Sequence, residues 1–220
     1  MKYDFDKIIE RRGTGAVKTE ALKELYGTDD LTALWVADMD FETPEFITEA
    51  LKKRLEHSLY GYTVEPEEYW PTVIRWIDEH HQWKVEREWL AYIPGIVKGI
   101  GMAINALLEK DDKIIIQPPV YHPFFYAVNN HGRKLVQNTL IDTDEGYVMD
   151  FGLLEQQAKT AKMLILSNPH NPVGRSWREE ELLRLGEICL KNDVLVFSDE
   201  IHCDLVMPGF KHVPFASLSD

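Results

Sequence analysis

The chain has 220 residues, 45% hydrophobic and 28% charged, a globular composition with enough apolar material to bury a large core. That balance excludes a disordered tail, and a net charge of −13 excludes non-specific attraction to nucleic acid or anionic membrane, since the average field repels both. No stretch approaches the roughly eighteen consecutive apolar residues of a membrane span, so no membrane partner is expected.

In chain order, the amino terminus carries Asp4 and Asp6 where a signal peptide would have its apolar region, so a cytoplasmic location is expected. Phe5, Ile8 and Ile9 read as a short amphipathic turn, broken by Arg11-Arg12-Gly13-Thr14-Gly15. Trp35 to Phe41 is a loop in which Asp38 and Asp40 sit among apolar neighbours. Buried acids need partners, and backbone donors are the expected ones for Asp38. Thr43 as N-cap and Pro44 as first helical residue open a helix whose buried face is Ile47, Ala50, Leu51 and Leu55. An irregular loop, Tyr60-Gly61-Tyr62, follows. A helix over 67–82 places Tyr69, Val73, Trp76 and His80 on one face, read as core.

Residues 90–93 form a short predicted strand that runs into Pro94-Gly95 and an apolar helix reaching Leu108. A helix opening from a strand presents unpaired N–H groups and a positive dipole end, so Gly95, Ile96 and Val97 are candidate phosphate ligands. The glycine spacing matches neither GxGxxG nor GxxxxGK[ST]. A strand over 113–117 ends at Pro118-Pro119-Val120-Tyr121-His122-Pro123, where the prolines hold Tyr121 beyond the sheet edge.

Met163–Leu166 and Val194–Phe197 are uninterrupted apolar runs, the pattern of parallel strands covered on both faces. Between them, Ser176 and Glu179 form a capping box for a helix with the stripe Leu182, Leu183, Leu185, Ile188 and Cys189, ending near Lys191-Asn192. A parallel pair joined by a helix puts both strand ends on one edge, so Asn171 and Asp199 are expected to share a pocket. Cys189 and Cys203 are read as reduced, and no Cys/His spacing resembles a zinc site, so no metal is expected. The same residue types also have purely structural uses. Asn-Pro pairs make turns, an Asp after a strand caps helices, Trp35 and Phe41 can be core anchors, and Tyr62 or Tyr121 can simply cover a core edge.

Three segments taken together carry a resemblance: Asn168-Pro169-His170-Asn171-Pro172-Val173-Gly174, Ser198-Asp199-Glu200-Ile201-His202 and Trp35-Val36-Ala37-Asp38-Met39-Asp40-Phe41. From about Tyr3 to Asp220 the chain resembles the fold type I enzymes that use pyridoxal 5'-phosphate (PLP). Within them it is similar to the MalY/PatB-type carbon–sulfur β-lyases, cystathionine β-lyase-like relatives of the class I/II aminotransferases. The first segment is common to most class I/II aminotransferases, and the other two point to the lyase-like branch.

The resemblance implies an α/β fold, a three-layer PLP-transferase large domain with a mainly parallel sheet over residues 46–220. Residues 1–45 would be an amino-terminal arm and small-domain segment. Asp199 would keep the pyridine nitrogen protonated by charge pairing, Asn171 would donate to the phenolate oxygen and Tyr121 would stack on the ring. Gly95, Ile96 and Val97 would hold the phosphate, and His202 would stand where many aminotransferases have a Tyr. Backbone near Ala37 would approach the substrate carboxylate, and Tyr62 would reach a partner's cofactor phosphate, which implies a homodimer.

The family's Schiff-base Lys, its carboxy-terminal small domain and the Arg that clamps the substrate are expected past Asp220. Lys211 does not fit the Lys motif, so no catalytic residue is nominated. The implied activity is cleavage of cystathionine or cysteine-type amino acids to thiol, pyruvate and ammonia. Alternatives are a PLP-dependent aminotransferase and a non-catalytic regulator of the same fold.

Overall fold

Period-two alternation inside two aliphatic runs decides the architecture of residues 65–220. In the computed structural model, which describes residues 3–219, the strands β1 (Lys113–Ile116), β2 (Lys134–Gln137), β5 (Ala161–Ser167) and β6 (Leu195–Asp199) form a parallel sheet in the order β2-β1-β5-β6. Ile114, Ile116, Met163 and Ile165 point to one face, and Ile115, Leu164 and Leu166 to the other. All seven are 0% exposed, so the central strands are sealed on both sides and polar alternation would not be tolerated there.

Helices α5 (Ile96–Leu107) and α6 (Pro123–Asn130) cover the first face, where Ile100, Ile104, Phe124 and Val128 fill the layer. Helices α7 (Phe151–Ala158) and α8 (Glu179–Lys191) cover the second with Leu154, Leu182, Leu185 and Ile188. The result is a three-layer α/β arrangement, as expected. An antiparallel hairpin, β3 (Ile141–Thr143) with β4 (Gly146–Val148), lies outside the sheet. Among the described residues no helix is long and apolar enough to cross a membrane.

Several expected elements take a different form. Residues 90–93 are extended yet unpaired, following a 3-10 turn at Arg87–Trp89, because no strand of the sheet lies beside them. The helix α8 begins at Glu179, not at Ser176, so the cap moves with it: the Arg178 N–H donates to Glu181 Oε2 at 2.9 Å. Arginine has no acceptor to return, and only the glutamate half of a capping box exists. Leu183 lies off the buried stripe, 41% exposed. β6 is an edge strand with Leu195 46% exposed, so this run is not covered as fully as β5.

The chain divides into two compact units after Val64. In the first, α1 (Val17–Glu20), α2 (Leu22–Tyr26) and α3 (Glu45–Leu55) are joined by irregular chain, and residues 5–11 form no helical turn. Pro44 is the N-cap of α3 and makes no side-chain cap bond, a shift of one residue from the expected cap at Thr43. Its apolar residues Ile47, Leu51 and Leu55 are exposed, where a buried face was expected. Likewise α4 (Tyr69–His81), in the second unit, has no fully buried residue, so its Tyr69, Val73, Trp76, His80 stripe is not core.

Candidate functional site

The carboxyl edge of the sheet gathers what the sequence placed at three separate strand ends. Parallel pairing sets Ser167 opposite Asp199, and the Asn168 N–H donates to the Asp199 carbonyl at 2.9 Å. The turn after β1 joins them, because the Tyr121 N–H donates to the Asn171 carbonyl at 2.9 Å. Tyr121 and Asn171, in the turns that follow β1 and β5, and Asp199, the last residue of β6, therefore stand at one edge of the sheet.

Asp199 lies two residues beyond Phe197, so its side chain takes the same sheet face, the one covered by α5. It is 6% exposed, and its carboxylate accepts one hydrogen bond, from the Ile201 N–H at 3.1 Å. Burial pushes its carboxyl above the ordinary value of 3.8, only partly opposed by that N–H and by the charge of His202. His202 is half-buried and acts on Asp199 through charge, without a hydrogen bond between their side chains. An acid this deep with so few donors keeps unmet hydrogen-bonding and charge-pairing capacity at the sheet edge.

The start of α5 faces the same edge. A side chain on Gly99 would come to 3.5 Å of Ile93 and 3.9 Å of Phe197, which fixes the first turn of α5 against β6. Gly95, the N-cap, has φ +106°, a conformation that L side chains rarely adopt, and open space where a Cβ would stand. The amides of Ile96 and Val97 open the first turn, where backbone donors have no intrahelical acceptor. Tyr121 is half-buried, edge-to-face with Phe124 at 6.0 Å between ring centroids, and so is oriented by the α6 layer.

Residues that sequence reading did not single out hold these groups in place. Ser167 Oγ accepts the Asn171 N–H at 3.2 Å, and Trp177, 1% exposed, donates from its indole to the Ser167 carbonyl at 2.9 Å. Asn168, 0% exposed, donates to the Val213 carbonyl at 3.0 Å and accepts the Trp177 N–H at 3.4 Å. Glu200 receives the Phe215 N–H at 2.8 Å and pairs with His212 at 3.1 Å. Asn168 and Glu200 belong to segments the sequence flagged. Trp177 had no signal, since a lone Trp after a turn has no period to read.

Ala37 and Tyr62 lie in the first unit. Beside Ala37, Asp38 and Asp40 are exposed and are gripped by Arg11 and Lys18 rather than by backbone donors, with Lys18 Nζ 2.6 Å from Asp40. Tyr62 is fully exposed on an irregular segment. A cleft of about 480 Å³ lined by Leu108, Lys162 and Leu195 opens at the other, amino-terminal edge of the sheet. Open α/β sheets bind ligands beyond the carboxyl ends of their strands, so that cleft is not the candidate site.

These residues define an α/β domain whose parallel sheet gathers a buried carboxylate, an amide, an aromatic ring and a helix amino terminus at its carboxyl edge. The family model described as aminotransferase class I and II matches residues 29–220, and the chain belongs to this family. It is 48% identical over 219 residues to the cystathionine beta-lyase PatB of Bacillus subtilis (strain 168), covering 99% of this chain and 57% of that protein. Cystalysin from Treponema denticola, whose crystal structure contains pyridoxal 5'-phosphate, superposes with a TM-score of 0.94 at 38% identity, covering 100% and 57%. The PLP-bound C-S lyase from Staphylococcus hominis gives 0.92 at 39%, covering 99% and 56%. The chain thus spans little more than half the length of the relatives it matches.

Proposed function

We propose that the full-length protein is a PLP-dependent carbon–sulfur β-lyase that cleaves cystathionine or cysteine-type amino acids to a thiol, pyruvate and ammonia. One observation carries the cofactor assignment: the 6% exposed carboxylate of Asp199, raised in pKa and supplied with a single N–H, at the edge where the ligand must lie. A protonated pyridine nitrogen would supply a cation that suits this carboxylate. The names of PatB, cystalysin and the staphylococcal enzyme support the lyase reading over plain transamination.

The residues present fit the cofactor. Gly95 leaves its backbone open to a phosphate that the Ile96 and Val97 amides would hold, and any side chain there would be strained at φ +106°. Bound PLP supplies the electron sink for the substrate α-carbon. Asp199 keeps the proton on the ring nitrogen, Asn171 donates to the phenolate oxygen, and Tyr121 covers one face of the ring and excludes water. His202 favours the charged form of Asp199. In this reading Ala37 offers backbone to the substrate carboxylate, Tyr62 completes the phosphate site of a second subunit in a cytoplasmic homodimer, and residues 1–45 serve as arm and small-domain segment to a large domain at 46–220.

Full-length protein loaded with PLP is expected to release pyruvate from cystathionine with no keto acid added. Asp199→Asn should lower that rate by at least about a hundredfold, the scale on which one preorganised electrostatic group acts. Turnover that depends on an added keto acid would make the enzyme an aminotransferase, and no turnover at all would overturn the lyase reading.

A further inference from the structure

We infer that the end of α4 and the turn after β6 form a binding site for a borderline divalent cation, Zn(II) by its donor set, with His81, Cys203 and Asp204 as ligands. The ligand atoms of these side chains lie within 4.8 Å of one another. His81 Nε2 already stands 3.1 Å from Asp204 Oδ1. No Cys/His spacing announces the group, because it is assembled from residues far apart in sequence that α4 and the turn bring together.

The donors are preorganised. His81 is the last residue of α4, and the turn is pinned by the Cys203 N–H to the Glu200 carbonyl at 2.9 Å and the Leu205 N–H to the His202 carbonyl at 2.9 Å. His212, 5% exposed, packs edge-to-face behind His81 at 5.4 Å between centroids and limits the swing of its ring. Tetrahedral zinc with bonds of about 2.0–2.3 Å needs donor pairs roughly 3.3–3.8 Å apart, so small rotations of Cys203 and Asp204 complete the site.

Charge and softness select the ion. Among the described residues no Lys or Arg pairs with Asp204, whose side-chain partners are His81 and, at 3.4 Å, the Trp76 indole N–H. Thiolate, imidazole and carboxylate together favour zinc over the hard cations magnesium and calcium, which take all-oxygen shells. Binding forms a metal–sulfur bond and releases the thiol proton to solvent. Asp204 is 49% exposed at its side chain, which leaves water access to a fourth position. The ion would tie α4 to the turn that follows Asp199 and contains His202.

The test is Zn(II) competition against a chromophoric chelator with full-length protein, together with zinc-edge X-ray absorption. One equivalent is expected, with a sulfur neighbour at about 2.3 Å. Cys203→Ser and His81→Gln should each weaken binding at least about tenfold, since even supporting residues of metal sites cost that much. Both variants are read separately, so misfolding of one leaves the other decisive. Unchanged affinity in a folded variant, or an absorption spectrum with nitrogen and oxygen neighbours only, overturns the site.

Discussion

His170 shows how a residue inside the diagnostic segment can act through burial alone. It is 2% exposed, edge-to-face with Trp177 at 5.5 Å, and neither ring nitrogen makes a well-aligned hydrogen bond. Burial therefore depresses its imidazole from 6.5 to about 4, with the Gln117 backbone opposing weakly. The unfolded chain takes up the proton first as pH falls, so stability is lost from about pH 6.5 downward and levels off below about pH 4. That interval corresponds to about 3 kcal/mol. His170→Phe keeps the ring contact with Trp177 and removes the titration. Urea unfolding of the full-length protein at pH 7 and pH 4 should show the wild-type loss shrinking by about that amount in the variant. An equal loss in both proteins would mean that other groups carry the acid sensitivity.

At the scale of elements, the layer between α5 and α6 contains one close approach. A Cβ on Gly101 would stand 2.9 Å from the His131 ring, and that ring is fastened by its Nδ1 to the Ala127 carbonyl at 2.7 Å. Alanine is better than glycine in a helix interior by about 1 kcal/mol. Overpacking against a fixed ring costs about 1–3 kcal/mol, so Gly101→Ala should destabilise, and His131→Ala should recover part of the loss in the double variant. A stabilised single variant in thermal unfolding would show that the ring yields. This contact was invisible in the sequence, as were β2, β3, β4 and α7, whose short segments have too little period to read. What was legible had strong local causes: the aliphatic runs of β1, β5 and β6, the glycine ahead of α5, and the polar residues just past the strands. The capping box failed because Ser176 and Glu179 satisfy the spacing while residues 176–178 are irregular, with Arg178 still extended ahead of the helix. Side-chain roles that depend on distant segments, such as Trp177 under Ser167, required the fold.

For the whole molecule, the telling discrepancy lies between apolar patterning and burial. The stripe of α3 has the amphipathic spacing of a packed helix, yet Phe46 is 62% exposed, Leu51 59% and Leu55 61%. Leu59 at 76% and Val64 at 91% are further exposed apolar residues of the same unit. The second unit adds an open edge at β6, where unpaired backbone groups can accept another strand. Isolated exposed leucines are ordinary, but contiguous apolar patches beyond a few hundred Å² mark a surface that another surface covers. The long-range field of the −13 charge slows association without removing that driving force. Expressed by themselves, residues 1–220 should therefore self-associate at micromolar concentration, seen by sedimentation velocity as species heavier than 25.5 kDa. Replacing Leu51 and Leu55 together with Lys should shift the distribution toward monomer while helical circular dichroism is retained, because both side chains already face solvent in the folded unit. A sharply melting monomer from the unmodified sequence would show that the patches are tolerated by solvent, and the inferred covering surface would have to be abandoned.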